Sequence, residues 1–286
     1  MIAALHFDFM QNALAAGLLA SVLCGILGSL VVVNRIVFLS GGIAHAAYGG
    51  IGLAFFCGWP YWVGTLGFSL AAAMLMAAVS LKARHRSDTV IGVIWAVGMA
   101  IGIILLDLTP GYNVDLMSYL FGSILTVPRS NLVGMLLGVL AVGGFAGYYY
   151  HDLEALSYDE AFARIRGVPV RGLYFLLIGL LAVAIVMVIQ VVGLILVIAL
   201  LTIPPLMVEK YTRSLAQMMA AASVLGMLFT SGGLWLSYAF DLTSGATIIL
   251  LAGFAFFLAL GVEWAVRRRS RKRPRFGNRA PRAEIR

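Results

Sequence analysis

One histidine of this sequence lies inside an apolar, glycine-rich stretch. His45 stands between Phe38 and Cys57, with five glycines around it. An ionisable side chain at membrane depth is costly, so it usually faces a cavity, a partner or a substrate. A neutral imidazole suits zinc, iron and similar first-row ions better than magnesium or calcium. The pattern therefore favours a place for His45 on a translocation pathway. The alternative is a packing helix whose histidine bonds to a carbonyl of a neighbour.

Motifs of other chemistry are absent from the sequence. It contains no Gly-x-x-x-x-Gly-Lys-Ser/Thr loop for nucleotide hydrolysis, no His-Glu-x-x-His and no Gly-x-Ser-x-Gly. Among the acidic residues, Asp107 and Glu263 come nearest to the hydrocarbon, each at the edge of an apolar run. A proton- or sodium-driven carrier usually keeps an acidic residue near the midplane. The sequence thus disfavours a stand-alone secondary transporter or an intramembrane enzyme, and favours a conduit powered from elsewhere.

The composition is that of an integral membrane protein. Of the 286 residues, 62% are hydrophobic and 11% are charged, whereas soluble domains average about 25% charged residues. Apolar runs of about 20 residues, the length that crosses a bilayer as a helix, predict an all-α, polytopic transmembrane bundle of about nine spans. The spans are expected at 13–33, 41–57, 60–81, 89–106, 132–150, 173–190, 193–208, 215–239 and 244–266. The run 173–208 is almost unbroken and could instead be one bent span plus a half-helix, which would leave eight.

The basic residues predict how the bundle is oriented. With nine spans, all but Arg129 of the 20 Lys and Arg residues fall on one side of the membrane. Lys and Arg concentrate on the cytoplasmic side of membrane proteins. We therefore expect the N-terminus outside and the C-terminus in the cytoplasm. Residues 1–12 contain no Lys or Arg, unlike the start of a cleaved signal peptide, so the first span is expected to stay.

The connections and the tail have their own signals. Residues 107–131 form the longest outer connection. Within it, residues 114–125 are expected to form an apolar helix that is too short to span the membrane and could line a vestibule or pad the bundle. Residues 1–266 form the transmembrane domain. Residues 267–286 are a polybasic tail, expected to lie on anionic lipid headgroups rather than on nucleic acid. The two cysteines have no CxxC spacing and are interpreted as packing residues.

The inner connection 151–172 contains the signals of a short helix. Ser157 is a plausible N-cap with Glu160 three residues later, and Gly167 is a C-terminal stop. An amphipathic helix here could dock a soluble partner, with Phe162 as the apolar anchor. The alternative is an ordinary solvated loop helix.

Several stretches together resemble the permease subunits of ABC-type zinc, manganese and iron importers. The resemblance covers about residues 9 to 262, and the order and spacing of the stretches make it specific. The matching stretches are Phe9-Met-Gln-Asn-Ala-Leu, Val33-Asn-Arg-Ile-Val-Phe-Leu-Ser-Gly-Gly-Ile-Ala-His-Ala-Ala-Tyr, Pro110-Gly-Tyr-Asn-Val-Asp, Tyr158-Asp-Glu-Ala-Phe-Ala-Arg-Ile-Arg-Gly, Gln190-Val-Val-Gly-Leu-Ile and Leu236-Ser-Tyr-Ala-Phe-Asp.

The resemblance implies a multi-subunit importer in a prokaryotic plasma membrane. Two permease chains, a homodimer or a pseudo-dimer with a paralogue, would form the pathway. Two cytoplasmic ATPase chains would drive it, and an extracytoplasmic binding protein would deliver the metal. The transported ion is cargo, and no permanently bound cofactor is implied.

The resemblance also implies roles for individual residues. It transfers contact with the metal to His45, and Tyr48, Gln190 and Asp115, within the matching stretches, are candidates for lining or gating the pathway. The ATPase-docking region is implied at Tyr158, Asp159, Glu160, Phe162, Ala163 and Gly167.

Two positions depart from the family pattern. The family often has an aspartate one helical turn before the histidine and a serine just before it, where this chain has Gly41 and Ala44. Asp and His at i and i+4 share a helix face and make a natural oxygen–nitrogen site for a divalent cation. Without the carboxylate, other groups complete the site, or the ion passes with its waters, or the substrate differs.

Overall fold

The computed structural model of the chain describes residues 7–82, 86–110, 122, 124 and 127–271, with side chains to residue 268. Within a membrane, apolar runs of about 20 residues satisfy their backbone hydrogen bonds internally as helices. The described residues accordingly form a helical bundle. The helices are α1 (Asp8–Val33), α2 (Val37–Cys57), α3 (Tyr61–Lys82), α4 (Ser87–Asp107), α5 (Arg129–Tyr148), α6 (Tyr150–Tyr158), α7 (Glu160–Ile165), α8 (Val170–Val192), α9 (Leu194–Val208), α10 (Leu215–Phe240) and α11 (Ser244–Arg271). A 3₁₀ turn, Glu209–Tyr211, follows α9.

Nine helical segments in the described part of the chain are long and apolar enough to cross a membrane. They are α1 to α5, α8, α9 with its 3₁₀ turn, α10 and α11 up to Arg268. This confirms the predicted all-α, polytopic membrane bundle of about nine spans. The predicted ends differ from the observed ones by a few residues, chiefly because the polar first turns were left out of the apolar runs.

The long apolar run 173–208 is divided at one glycine. Gly193 has φ +82°, a conformation that side chains rarely adopt, and separates α8 from α9. Gly122 of the outer connection packs against the backbone of Val192 and Gly193 so closely that a Cβ atom would not fit. The run is therefore two helices, as the nine-span count requires.

Close helix packing through small residues holds the bundle together. α1 packs against α5, α9 and α10, and α2 packs between α3 and α4. Gly25 of α1 contacts the backbone of Ser223, and Gly52 of α2 contacts that of Gly102, at distances that leave no room for a side chain. Such residues allow helix backbones to approach closely within a membrane. α2 is consequently fixed by its two neighbours along most of its length.

The short helix of the inner connection begins at a different N-cap from the predicted one. Ser157 is inside α6 and not an N-cap, because a helix continues from α5 through Tyr149 into Tyr158. Asp159 is the N-cap of α7, and its carboxylate accepts a hydrogen bond from the Phe162 backbone N–H at 2.9 Å. Gly167, with φ +81°, follows the end of α7 as predicted. Apart from residues 122 and 124, the predicted outer helix 114–125 lies outside the described residues, as does most of the tail.

Candidate functional site

His45 is held flat against an aromatic side chain of the neighbouring helix. Its ring stacks on the Trp95 indole of α4 with centroids 4.2 Å apart and planes 15° apart. The indole Nε1–H of Trp95 donates a hydrogen bond to Met99 Sδ at 3.0 Å. Phe38, two turns before His45, contacts the same indole with ring centroids 5.9 Å apart. The indole thus lies between two side chains of α2 and fixes the plane of the imidazole.

One nitrogen of the imidazole has no hydrogen-bond partner in the described structure. His45 is half-buried, and its Nδ1 atom is buried without a hydrogen-bond partner among the described residues. A polar atom left without a partner in an apolar surrounding is costly. Among described residues, no group of three or more His, Cys, Asp or Glu side chains could hold a metal ion. His45 can therefore supply one nitrogen ligand to a cation, with the other ligands coming from waters, carbonyls or another chain.

The face of α2 that carries His45 is open. Phe38, Gly41 and His45 share this face at i, i+3 and i+7, and each is at least partly exposed. In the described part of the chain, a Cβ atom at Gly41 would meet no atom of another element within 4 Å. At Gly42, one residue further, a Cβ atom would lie 2.8 Å from Ile91 Cγ2 and 3.2 Å from Met76 Sδ. The open surface is thus specific to the Gly41 side of the helix.

The other pathway candidates lie in different places. Tyr48 is one turn beyond His45 and is buried in the bundle. Gln190 is half-buried near the end of α8 and lines a cavity of about 260 Å³ with Trp62 and Asn131. His45 does not line that cavity, so the structure does not bring Gln190 and His45 together. Asp115 lies outside the described residues.

The segment at the α6–α7 junction exposes apolar side chains. Tyr158 is 62% exposed, Phe162 50% and Ile165 85%. Ala163 is fully buried and anchors α7 to the bundle. Glu160 pairs with Arg164 one turn later, which supports this short helix. The arrangement presents Phe162 and Ile165 to the surroundings while Ala163 faces inward.

Sequence reasoning missed Trp95. It lies in an apolar run with no motif around it, and its role comes from the packing of α4 on α2. The spacing of Phe38 and His45, seven residues apart on one helix, is a signal that an aromatic side chain of a neighbour could fit between them.

The chain matches known proteins along most of its length. The family described as "ABC 3 transport family" matches residues 6–263. An uncharacterised membrane protein of Synechocystis is 52% identical, over 91% of this chain and 92% of that protein. The manganese transport system membrane protein MntC of Listeria monocytogenes is 31% identical, over 89% of this chain and 91% of its own length. A probable metal transport system membrane protein of Chlamydia pneumoniae is 35% identical, over 87% of each chain.

Two solved structures share the fold. A chain of PsaBC from Streptococcus pneumoniae, solved in complex with a Fab, superposes with a TM-score of 0.81 at 30% identity, and the match covers 90% of this chain and 93% of that one. An inward-facing structure described as a metal-chelate type ABC transporter gives a TM-score of 0.69 at 20% identity, over 87% of this chain and 85% of that one. The second similarity concerns the fold alone.

Proposed function

Since this chain belongs to the ABC 3 transport family, we propose that it imports a divalent transition-metal ion, zinc, manganese or iron, driven by ATP hydrolysis on a separate subunit. As a member of that family it is an ABC-type metal transport permease and not an enzyme. The observation that carries the proposal is the His45 imidazole, which has a buried Nδ1 atom without a partner in the described structure and lies on an open helix face. A neutral imidazole nitrogen is a good ligand for such ions.

Two copies of the chain would complete the pathway. The exposed face around Phe38, Gly41 and His45 is where a second permease, identical or paralogous, would bring a second histidine. One nitrogen per chain gives two ligands at a two-fold axis, and the ion keeps waters for the remainder. Weak, incomplete coordination suits an ion that must also leave the site.

The proposed assembly has soluble partners on both sides of the plasma membrane. The exposed Phe162 and Ile165 side chains support docking of an ATPase at α7, on the cytoplasmic side. A binding protein would deliver the metal from outside. The basic tail 267–286 would lie on anionic headgroups of the inner leaflet. In this orientation the N-terminus is outside and the C-terminus inside.

Two cues bear on the metal, and they favour different ions. The Listeria relatives are named for manganese. Manganese prefers oxygen ligands, whereas a site with an imidazole and no carboxylate at position 41 suits zinc or iron better. Competitive uptake of the three ions therefore decides the substrate.

The test is metal-resolved uptake by cells that lack other importers. We expect His45→Ala to reduce uptake strongly while expression and assembly are unchanged. His151→Ala, which removes an exposed histidine of α6, is the matched control and should transport normally. Normal uptake by His45→Ala would make His45 a packing residue. Uptake that follows an ion gradient and needs no ATP would instead favour the secondary-transporter alternative.

A further inference from the structure

The corner between α1 and α2 is short and stiff. Three residues, 34–36, connect the helices, and Arg35 adopts a left-handed conformation with φ +58°. The backbone N–H groups of Asn34, Arg35 and Ile36 donate to carbonyls of the last turns of α1 at 2.9–3.0 Å. A corner closed by these hydrogen bonds has little freedom to bend. A displacement of this corner therefore passes directly to the start of α2.

One hydrogen bond ties this corner to the segment that precedes α7. The Asn34 side-chain Nδ2 donates to Ser157 Oγ at 2.9 Å and to Leu30 O at 2.8 Å, so both of its hydrogens are used. Ser157 is in the last turn of α6, two residues before the Asp159 cap of α7. The two partners are 123 residues apart in the chain.

This partly buried hydrogen bond lies beside a cavity. The lining of this cavity of about 860 Å³ includes Asn34, Arg35, Ser157, Tyr158 and Glu160.

We propose that the hydrogen bond between Asn34 and Ser157 is a coupling contact that transmits displacement of α6 and α7 to the pathway helix α2. The inference rests on the proposed function. α7 connects to α8 through the chain itself and is anchored to the bundle by Ala163. The hydrogen bond adds a polar connection from the segment that precedes α7 to the corner that begins α2. His45 is nine residues beyond Ile36, which corresponds to about 13 Å along the helix. Asn34 and Ser157 act as positioning residues, since neither contacts the site at His45.

The test uses the permease–ATPase complex in liposomes and measures metal transported per ATP hydrolysed. Ser157→Thr and Ser157→Val differ by a hydroxyl at nearly equal volume. We expect the valine variant to lose about two- to tenfold in transported metal per ATP, the range for one neutral hydrogen bond. ATP hydrolysis and subunit association should persist in that variant. The threonine variant should retain coupling.

A double substitution separates coupling from general damage. Asn34→Ala should lower the same ratio. Adding Ser157→Val to Asn34→Ala should lower it little further, because the Asn34–Ser157 hydrogen bond is already absent in the single variant. Ser29→Ala, which removes an α1 hydroxyl that donates to Gly25 O of its own helix, should leave the ratio unchanged. Equal ratios for the threonine and valine variants, or additive losses in the double variant, would overturn the inference. If the wild-type complex showed no ATP-dependent uptake, the proposed function would be overturned, and the coupling contact with it.

Discussion

Restoring the missing carboxylate is the most direct perturbation of the candidate site. Gly41→Asp would place an acidic side chain one turn from His45, on the same face and about 6 Å lower along the helix. Among the described residues, no atom beyond the adjoining turns of α2 lies within 4 Å of the new Cβ, so the substitution has room. An aspartate at a helix centre costs about 2.5–3.5 kcal/mol on insertion. Gly41 is the fifth residue of α2 and is partly exposed, so the insertion cost of an aspartate at this position should be lower.

The new carboxylate should strengthen binding most for ions that prefer oxygen ligands. Interactions with an ionised partner contribute about 1.5–3 kcal/mol, which corresponds to about 10- to 150-fold in affinity. We therefore expect Gly41→Asp to lower the KM for uptake within that range and to shift preference from zinc toward manganese. A tighter site also releases ions more slowly, so the maximal rate should fall.

The assay compares initial uptake rates of zinc, manganese and iron at graded concentrations. Gly41→Asn has the same shape without the charge and should resemble wild type. Gly42→Asp should express poorly, because its Cβ would press on Ile91 and Met76. The reasoning would be refuted by a Gly41→Asp variant that behaves like Gly41→Asn. Expression as poor as that of Gly42→Asp would show that the face is covered.

Three further predictions concern other parts of the molecule. Trp95→Ala should raise the KM by about 2- to 13-fold, since a lost aromatic stack costs about 0.5–1.5 kcal/mol. Trp95→Phe should keep part of the stacking on His45 and raise the KM less. Equal KM values for the two variants would contradict a role for the stack. Phe162→Asp should weaken ATPase co-purification and abolish uptake while Phe162→Leu preserves both; full ATPase recovery with Phe162→Asp would exclude α7 as the docking element. Cysteines introduced at positions 6 and 276 should be labelled from outside and inside respectively; labelling of both from one side would mean an even number of spans.

The fold was predictable because a membrane leaves few choices. Without water, an apolar run must pair its backbone groups internally, so run length indicated about nine spans. The division of 173–208 was the hardest part, since Gly193 lies in an unbroken apolar sequence. A glycine at φ +82° with the outer connection packed on it is visible only in three dimensions.

The site was predictable at one residue and not around it. His45 stood out because an imidazole in an apolar run is rare. Its contact with Trp95 depends on how α4 packs on α2, which no local pattern encodes. The predicted N-cap of α7 was wrong for a similar reason. Ser157 and Asp159 both have suitable side chains, and the continuation of α6 through Ser157 leaves Asp159 as the cap.

The two native cysteines differ in a way that bears on measurement. Cys24 is buried within α1, whereas Cys57, the last residue of α2, is exposed. A thiol reagent should therefore modify the wild-type chain at Cys57, at the end of α2. The opposite end of α2 follows the corner at Asn34, which contacts Ser157. A fluorophore or spin label at Cys57 would report whether α2 moves as a rigid rod when the ATPase turns over. The same thiol must be replaced by serine before any introduced cysteine is used to map sidedness.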